Sequence, residues 1–164
     1  MIHLIKRLVA AALLSAAAVI PFATHADAQQ KGVTAGFLRC DVAGSVSFIF
    51  GSTRDLTCTY EASGTHRVDN YTGEIKQYGI DIGYQKKGVI VWSVVAPTND
   101  VGTGALAGDY GGVNATVAAG LGVGADALFG GYKDSIALQP LSVEGIQGIN
   151  LAAAIASVSL KAAP

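Results

Sequence analysis

The chain is poor in the side chains from which most active sites are assembled. Of its 164 residues only 14% are charged, three are histidine and two are cysteine. His3 and His25 lie in the N-terminal stretch, so His66 has no second imidazole nearby in sequence with which to share a metal or a proton. No C-x-x-C spacing occurs, which excludes a zinc ribbon and a thioredoxin-like redox pair. The formal net charge of −1 carries no basic footprint for nucleic acid or an anionic membrane. Aromatics make up 7% of the chain, too few for the two interfacial girdles of an outer-membrane barrel. Long apolar runs are missing too. The N-terminal run Leu8 to Ile20 falls short of the ~20 residues that a membrane-spanning helix needs.

That run has another use. Lys6 and Arg7 precede it, Pro21 breaks it, and Ala26-Asp27-Ala28 follows as an A-x-A-like cleavage site. Residues 1–28 therefore read as a secretory signal peptide, and residues 29–164 as one exported domain. No transmembrane helix is expected in the mature chain. Export places the protein in the periplasm, where a minimal cysteine pair reads as a disulfide between Cys40 and Cys58. Alternation puts Leu38, Cys40 and Val42 on one strand face, and Leu56, Cys58 and Tyr60 on another. Closing this loop is worth ~3 kcal/mol.

What the mature chain does contain is strand-like sequence. Segments of period two or of β-branched character span 33–42, 45–50, 53–60, 74–84, 89–96, 104–111, 114–129, 135–144 and 150–161. Short turn clusters such as "ASGT", "DNYTGE" and "APTND" separate them. The fold class is all-β, a mostly antiparallel sandwich or small barrel with short turns and Gly-rich strands. "VIVWSVV" is continuously apolar and reads as a strand buried on both faces. Pro140 shifts the apolar phase of its strand, which predicts a bulge or an edge.

Glycine is abundant, with 21 residues, and all of them follow residue 28. In "AAGLGVGADALFGG", Gly120, Gly122 and Ala125 match a dinucleotide-binding fingerprint, and Glu144 lies at the right distance. The match fails because Gly130 and Gly131 interrupt any helix that starts there. Period two accounts for the stretch instead, with Gly120, Gly122 and Gly124 on one strand face. Such a stripe predicts close cover by a backbone, a ligand or an aromatic ring such as Tyr110 or Trp92. These five residues are the candidate ligand-binding group.

Catalytic constellations are thin. Ser63, His66 and Asp69 supply triad residue types, but within one short turn. Asp109 and Asp126 are isolated carboxylates of the Gly-rich half. Arg54-Asp55 and Lys86-Lys87 read as solvated turn charges. No catalytic residue, metal site or cofactor is expected.

The segments "GFLRCDV", "FIFGSTRDLTCTY", "YTGEIKQYGIDIGY", "VIVWSVVAPT", "GALAGDYGGV", "AAGLGVGADALFGG" and "SIALQPLSVEGIQGINLAAAI" closely resemble domain-of-unknown-function family 992. Its members are exported proteins of Gram-negative bacteria, and the resemblance implies no activity or catalytic residue. The Gly/Ala-rich half is also similar, in composition and rhythm, to the lipid-binding SYLF module. The expectation is a non-enzymatic envelope protein that binds a lipid, another apolar ligand or an envelope partner. The alternatives are a small outer-membrane-associated barrel and a hydrolase that uses acids of the Gly-rich half.

Overall fold

A computed structural model of the chain describes residues 31–47, 52–77, 83–85, 87–112, 122–124, 126–144 and 155–164. The expected leader, residues 1–28, lies outside them. Among the described residues the strands are β1 (Val33–Val42), β2 (Ser45–Ser47), β3 (Ser52–Ala62), β4 (Val68–Gln77), β5 (Gly83–Gln85), β6 (Gly88–Ala96), β7 (Gly108–Gly112), β8 (Leu128–Gly130), β9 (Ile136–Glu144) and β10 (Ile155–Ala163). A single 3-10 turn, Tyr132–Asp134, separates β8 from β9.

Eight of these strands close into a barrel in the order β1-β3-β4-β10-β7-β8-β9-β6, while β2 and β5 pair as a separate ribbon. Neighbouring strands run antiparallel all the way round. Of the two expected architectures, the barrel is the one adopted. With eight strands the interior is just wide enough for side chains to fill it. Trp92, Tyr60, Tyr71, Tyr110, Leu38 and Leu138 do so, each at most 1% exposed.

Alternation sets the inner face. On β3 every second residue from Ser52 to Ala62 is buried and every intervening one is exposed. Cys40 and Cys58 stand directly opposite each other in the β1–β3 register and form the expected disulfide, with Cα atoms 4.0 Å apart. Both are buried, so the staple joins two inward-facing positions. Pro140 produces the expected bulge. The β6–β9 register steps from Val91↔Ser142 to Trp92↔Pro140, and the extra residue, Leu141, is left exposed.

Four expectations need correction. The strand expected over 74–84 begins at Val68, because "DNYTGE" continues the period, with Asp69, Tyr71 and Ile75 buried. The strand expected over 104–111 begins only at Gly108, and residues 103–106 form a turn. The strand expected over 114–129 is confined, among the described residues, to its C-terminal end at β8, since 122–124 and 126–127 are not strand. "VIVWSVV" is fully buried on its inner side, where Ile90, Trp92 and Val94 face the core, whereas on the outer wall only Ser93 is buried and Val89, Val91 and Val95 are half-buried.

Strand directions sort the connections into two ends. The start of β1, the 63–67 turn, the 97–107 segment, the 131–135 turn and the end of β10 lie together at one end. The β2–β5 ribbon and the start of β3 belong to the other.

Candidate functional site

The first end of the barrel is closed by residues 97–107, a strap that is not part of any strand. Leu106 is its stopper, and it is fully buried. The backbone groups of Leu106 are held by side chains of the wall. Its N–H donates to the Tyr71 hydroxyl at 3.4 Å, and its carbonyl accepts from the Tyr110 hydroxyl at 2.8 Å. A third phenol, Tyr60, donates to the Ala35 carbonyl at 2.9 Å. Burial raises the pKa of all three above the ordinary tyrosine value, because the interior disfavours the phenolate. The hydrogen bond from Leu106 pulls Tyr71 partly back, and the Arg67 charge does so for Tyr60.

Arg67 ties the strap to the β3–β4 turn. Its guanidinium donates to the Val101 carbonyl, lies 3.4 Å from the buried Asp69 carboxylate and reaches the exposed Asp100 at 3.5 Å. Thr98 donates to the Asp100 carbonyl, which shapes the strap from within. Tyr132 adds one bond from the β8–β9 turn, its N–H donating to the Ala105 carbonyl at 3.3 Å.

The opposite end carries a buried charge. Arg54 was expected as a solvated turn residue, yet it is 2% exposed on the inner face of β3. Its Nε donates to the Ala43 carbonyl at 2.7 Å, and beside it Ser52 donates to Gln77 Oε1 at 3.4 Å. The missed signal was parity, since Arg54 shares its face with Leu56, Cys58 and Tyr60. Asp55 is exposed, but within β3 rather than in a turn; Lys87 is exposed, and Lys86 lies outside the described residues.

The suggested triad does not assemble. The His66 side chain is 84% exposed and faces Glu61 at 3.5 Å, while Asp69 is buried against Arg67. Ser63 is exposed on the turn. Asp109 is exposed on the outside of β7, and Asp126 is exposed in a turn.

The candidate ligand-binding group is also divided. Trp92 and Tyr110 point into the barrel. Gly120 lies outside the described residues. Gly122 occupies a turn at φ 74°, and nothing lies within 4 Å of where its Cβ would be, so the expected cover is absent there. Gly124 is covered, but by a polar side chain: its N–H donates to Gln139 Oε1 at 2.6 Å. Gln139 pairs with Ser93 on the outer side of the wall, away from Trp92. Aromatic cover of glycine does occur, at other positions. The Tyr60 ring lies over Gly36, and the Tyr110 hydroxyl blocks the Cβ position of Gly131, whose φ is 69°.

The outer wall is uneven. On β3 and β4 it carries Thr53, Asp55, Thr57, Thr72, Glu74 and Lys76, all exposed. On β1, β6 and β9 it carries Phe37 and Leu141, 47% and 57% exposed, beside half-buried Val91 and Val95. An apolar notch of about 30 Å³ opens there between Val95, Pro97, Phe129 and Ala137.

One family model matches residues 19–161, and its description is "Protein of unknown function (DUF992)". No curated protein and no solved structure matches the chain.

Proposed function

This chain belongs to the DUF992 family, and from that premise we propose that it is an exported, non-catalytic barrel of the cell envelope that binds an apolar envelope component. The observation that carries this is the unequal outer wall. One side is threonine-rich and charged, while Phe37, Val91, Val95 and Leu141 give the other a partly exposed apolar cluster, bordered by the exposed charges Arg39, Asp41 and Glu144. Apolar side chains grouped on one side of a small protein mark a contact surface more often than a solvated one. Export is supported by the leader-like N-terminus and by the disulfide, which persists in an oxidising compartment. His66 exposed beside Glu61, Asp69 buried against Arg67, and Asp109 and Asp126 exposed on other elements do not converge, which favours binding over catalysis.

The test is purification of the full-length protein from its native envelope, with mass spectrometry of the lipids and proteins that co-elute. A lipid or envelope protein should be retained by wild type and lost from a Phe37→Ser, Leu141→Ser double variant. Equal retention by the double variant would remove the apolar wall from the account.

A further inference from the structure

We propose that Leu106 is a detachable plug, and that the barrel end it fills is a binding site for a short or terminal alkyl group next to a carbonyl, as in an acyl ester or amide. This site lies inside the barrel and is separate from the outer wall discussed above. Leu106 is fully buried, yet it reaches the interior from a strap outside the strand ladder. Its attachments differ in kind from those of the wall. Strand residues are held by continuous backbone pairing, whereas Leu106 is held by two phenols from different strands, Tyr71 on β4 and Tyr110 on β7. Among the described residues the strap is further tied by the Arg67 guanidinium, one bond from Tyr132, a backbone bond of Gly104 to Tyr71, and packing of Val101, Ala105 and Ala107 against the core. The Arg67–Asp100 link is exposed on its acidic side, where water competes for it.

The strap also has pivots. Gly104 at φ 72° and Gly108 at φ 143° flank Leu106, and a Cβ on Gly102 would meet nothing within 4 Å. Rotation at Gly102 and Gly104 withdraws the leucine without disturbing β7, which begins at Gly108.

What the strap places in the barrel defines the ligand. The leucine contributes a branched alkyl group, its carbonyl accepts a hydrogen bond from the Tyr110 hydroxyl, and its N–H donates to the Tyr71 hydroxyl. The Tyr110 hydroxyl is a neutral phenol and remains a hydrogen-bond donor when the strap leaves. An entering acyl group fills the leucine position and sets its carbonyl against Tyr110. A carboxylate gains less, because the Arg67 guanidinium is already bound to Asp69, Asp100 and Val101.

The chain's single tryptophan makes the site readable, since Trp92 is 1% exposed inside the barrel. Ethyl bromobutyrate that enters the barrel quenches its fluorescence by heavy-atom contact, whereas ester bound on the outer wall does not. The strap can be tied to the 63–67 turn by a short disulfide-containing crosslinker joining thiols introduced at positions 64 and 99, since Asn99 Nδ2 lies 4.0 Å from a Cβ on Gly64. A Gly64→Cys, Asn99→Cys variant is compared in its crosslinked and mildly reduced forms, with the buried Cys40–Cys58 bridge intact in both. Saturable quenching is expected in wild type and in the reduced variant. In the crosslinked variant it should weaken by roughly tenfold or more, since apparent affinity falls with the fraction of open protein. Leu106→Ala should bind the ester more tightly than wild type. The absence of saturable quenching in wild type would overturn the proposal. Equal quenching in the crosslinked and reduced variants, or binding by Leu106→Ala alone, would do the same.

Discussion

The Tyr60 ring lies over Gly36, and the Tyr60 hydroxyl donates to the carbonyl of the preceding residue, Ala35, at 2.9 Å. A methyl group at position 36 would sit 2.5 Å from Tyr60 Cε2 and would also meet the Glu61 carbonyl. Neither neighbour can yield easily, since one is a fully buried ring and the other is backbone. Gly36→Ala should therefore destabilise the protein by ~1–3 kcal/mol despite the better strand propensity of alanine. Urea denaturation gives the value, and an unchanged midpoint would show that the ring can move aside.

Gly122 provides the contrast. Space there is open, but φ is 74°. Gly122→Val should cost ~1–2 kcal/mol through backbone strain, and Gly122→Asn should recover most of that, because asparagine tolerates the left-handed region. Equal losses from the two variants would point to contact rather than conformation as the cause. The same denaturation series separates the two.

Arg54 is held at one end of the barrel by its bond to Ala43. Arg54→Ala removes the donor from that carbonyl and leaves a void, with an expected loss of ~2–4 kcal/mol. A charge on a solvated turn would give a change within about 0.5 kcal/mol. Thermal melts at matched concentration distinguish these outcomes.

The three phenols give the protein an alkaline limit. Their pKa values are raised in the folded state above the ordinary value of 10.0. Above that pH the unfolded chain has released protons that the folded protein retains, so stability falls as pH rises. Below it, folded and unfolded phenols are both protonated, and their contribution is fully present. Urea midpoints measured from neutral pH into the alkaline range should decline beyond about pH 10. Tyr110→Phe should decline less steeply, although it starts lower for want of its bond to Leu106. An equal slope in the variant would show that Tyr110 does not contribute to the limit.

His66 carries nothing in this account. Its side chain is 84% exposed and its φ is 53°. His66→Asn, which suits that conformation, should leave the melting temperature and envelope retention unchanged. Loss of retention in a folded variant would reopen a catalytic or direct binding role for the turn.

Alternation along each strand is a local property, and the sequence alone determined what depends on it. The bounds of β1, the inward parity of Cys40 and Cys58 and the bulge at Pro140 follow from which side chains alternate, because successive residues of a strand must face opposite ways. Tertiary structure decided what depends on distant partners. Eight strands close into a barrel because β1 finds β6 and β10 finds β4 and β7, pairings that no single segment encodes. Closure makes the apolar run of β6 an outer wall on one side and a core on the other. It turns Arg54 inward with the rest of its face, and it leaves an open end that the strap fills with Leu106. The same closure decides which glycines matter. A strand's own sequence marks where a side chain is missing, but only the neighbouring strand supplies the ring or carbonyl that would collide with one.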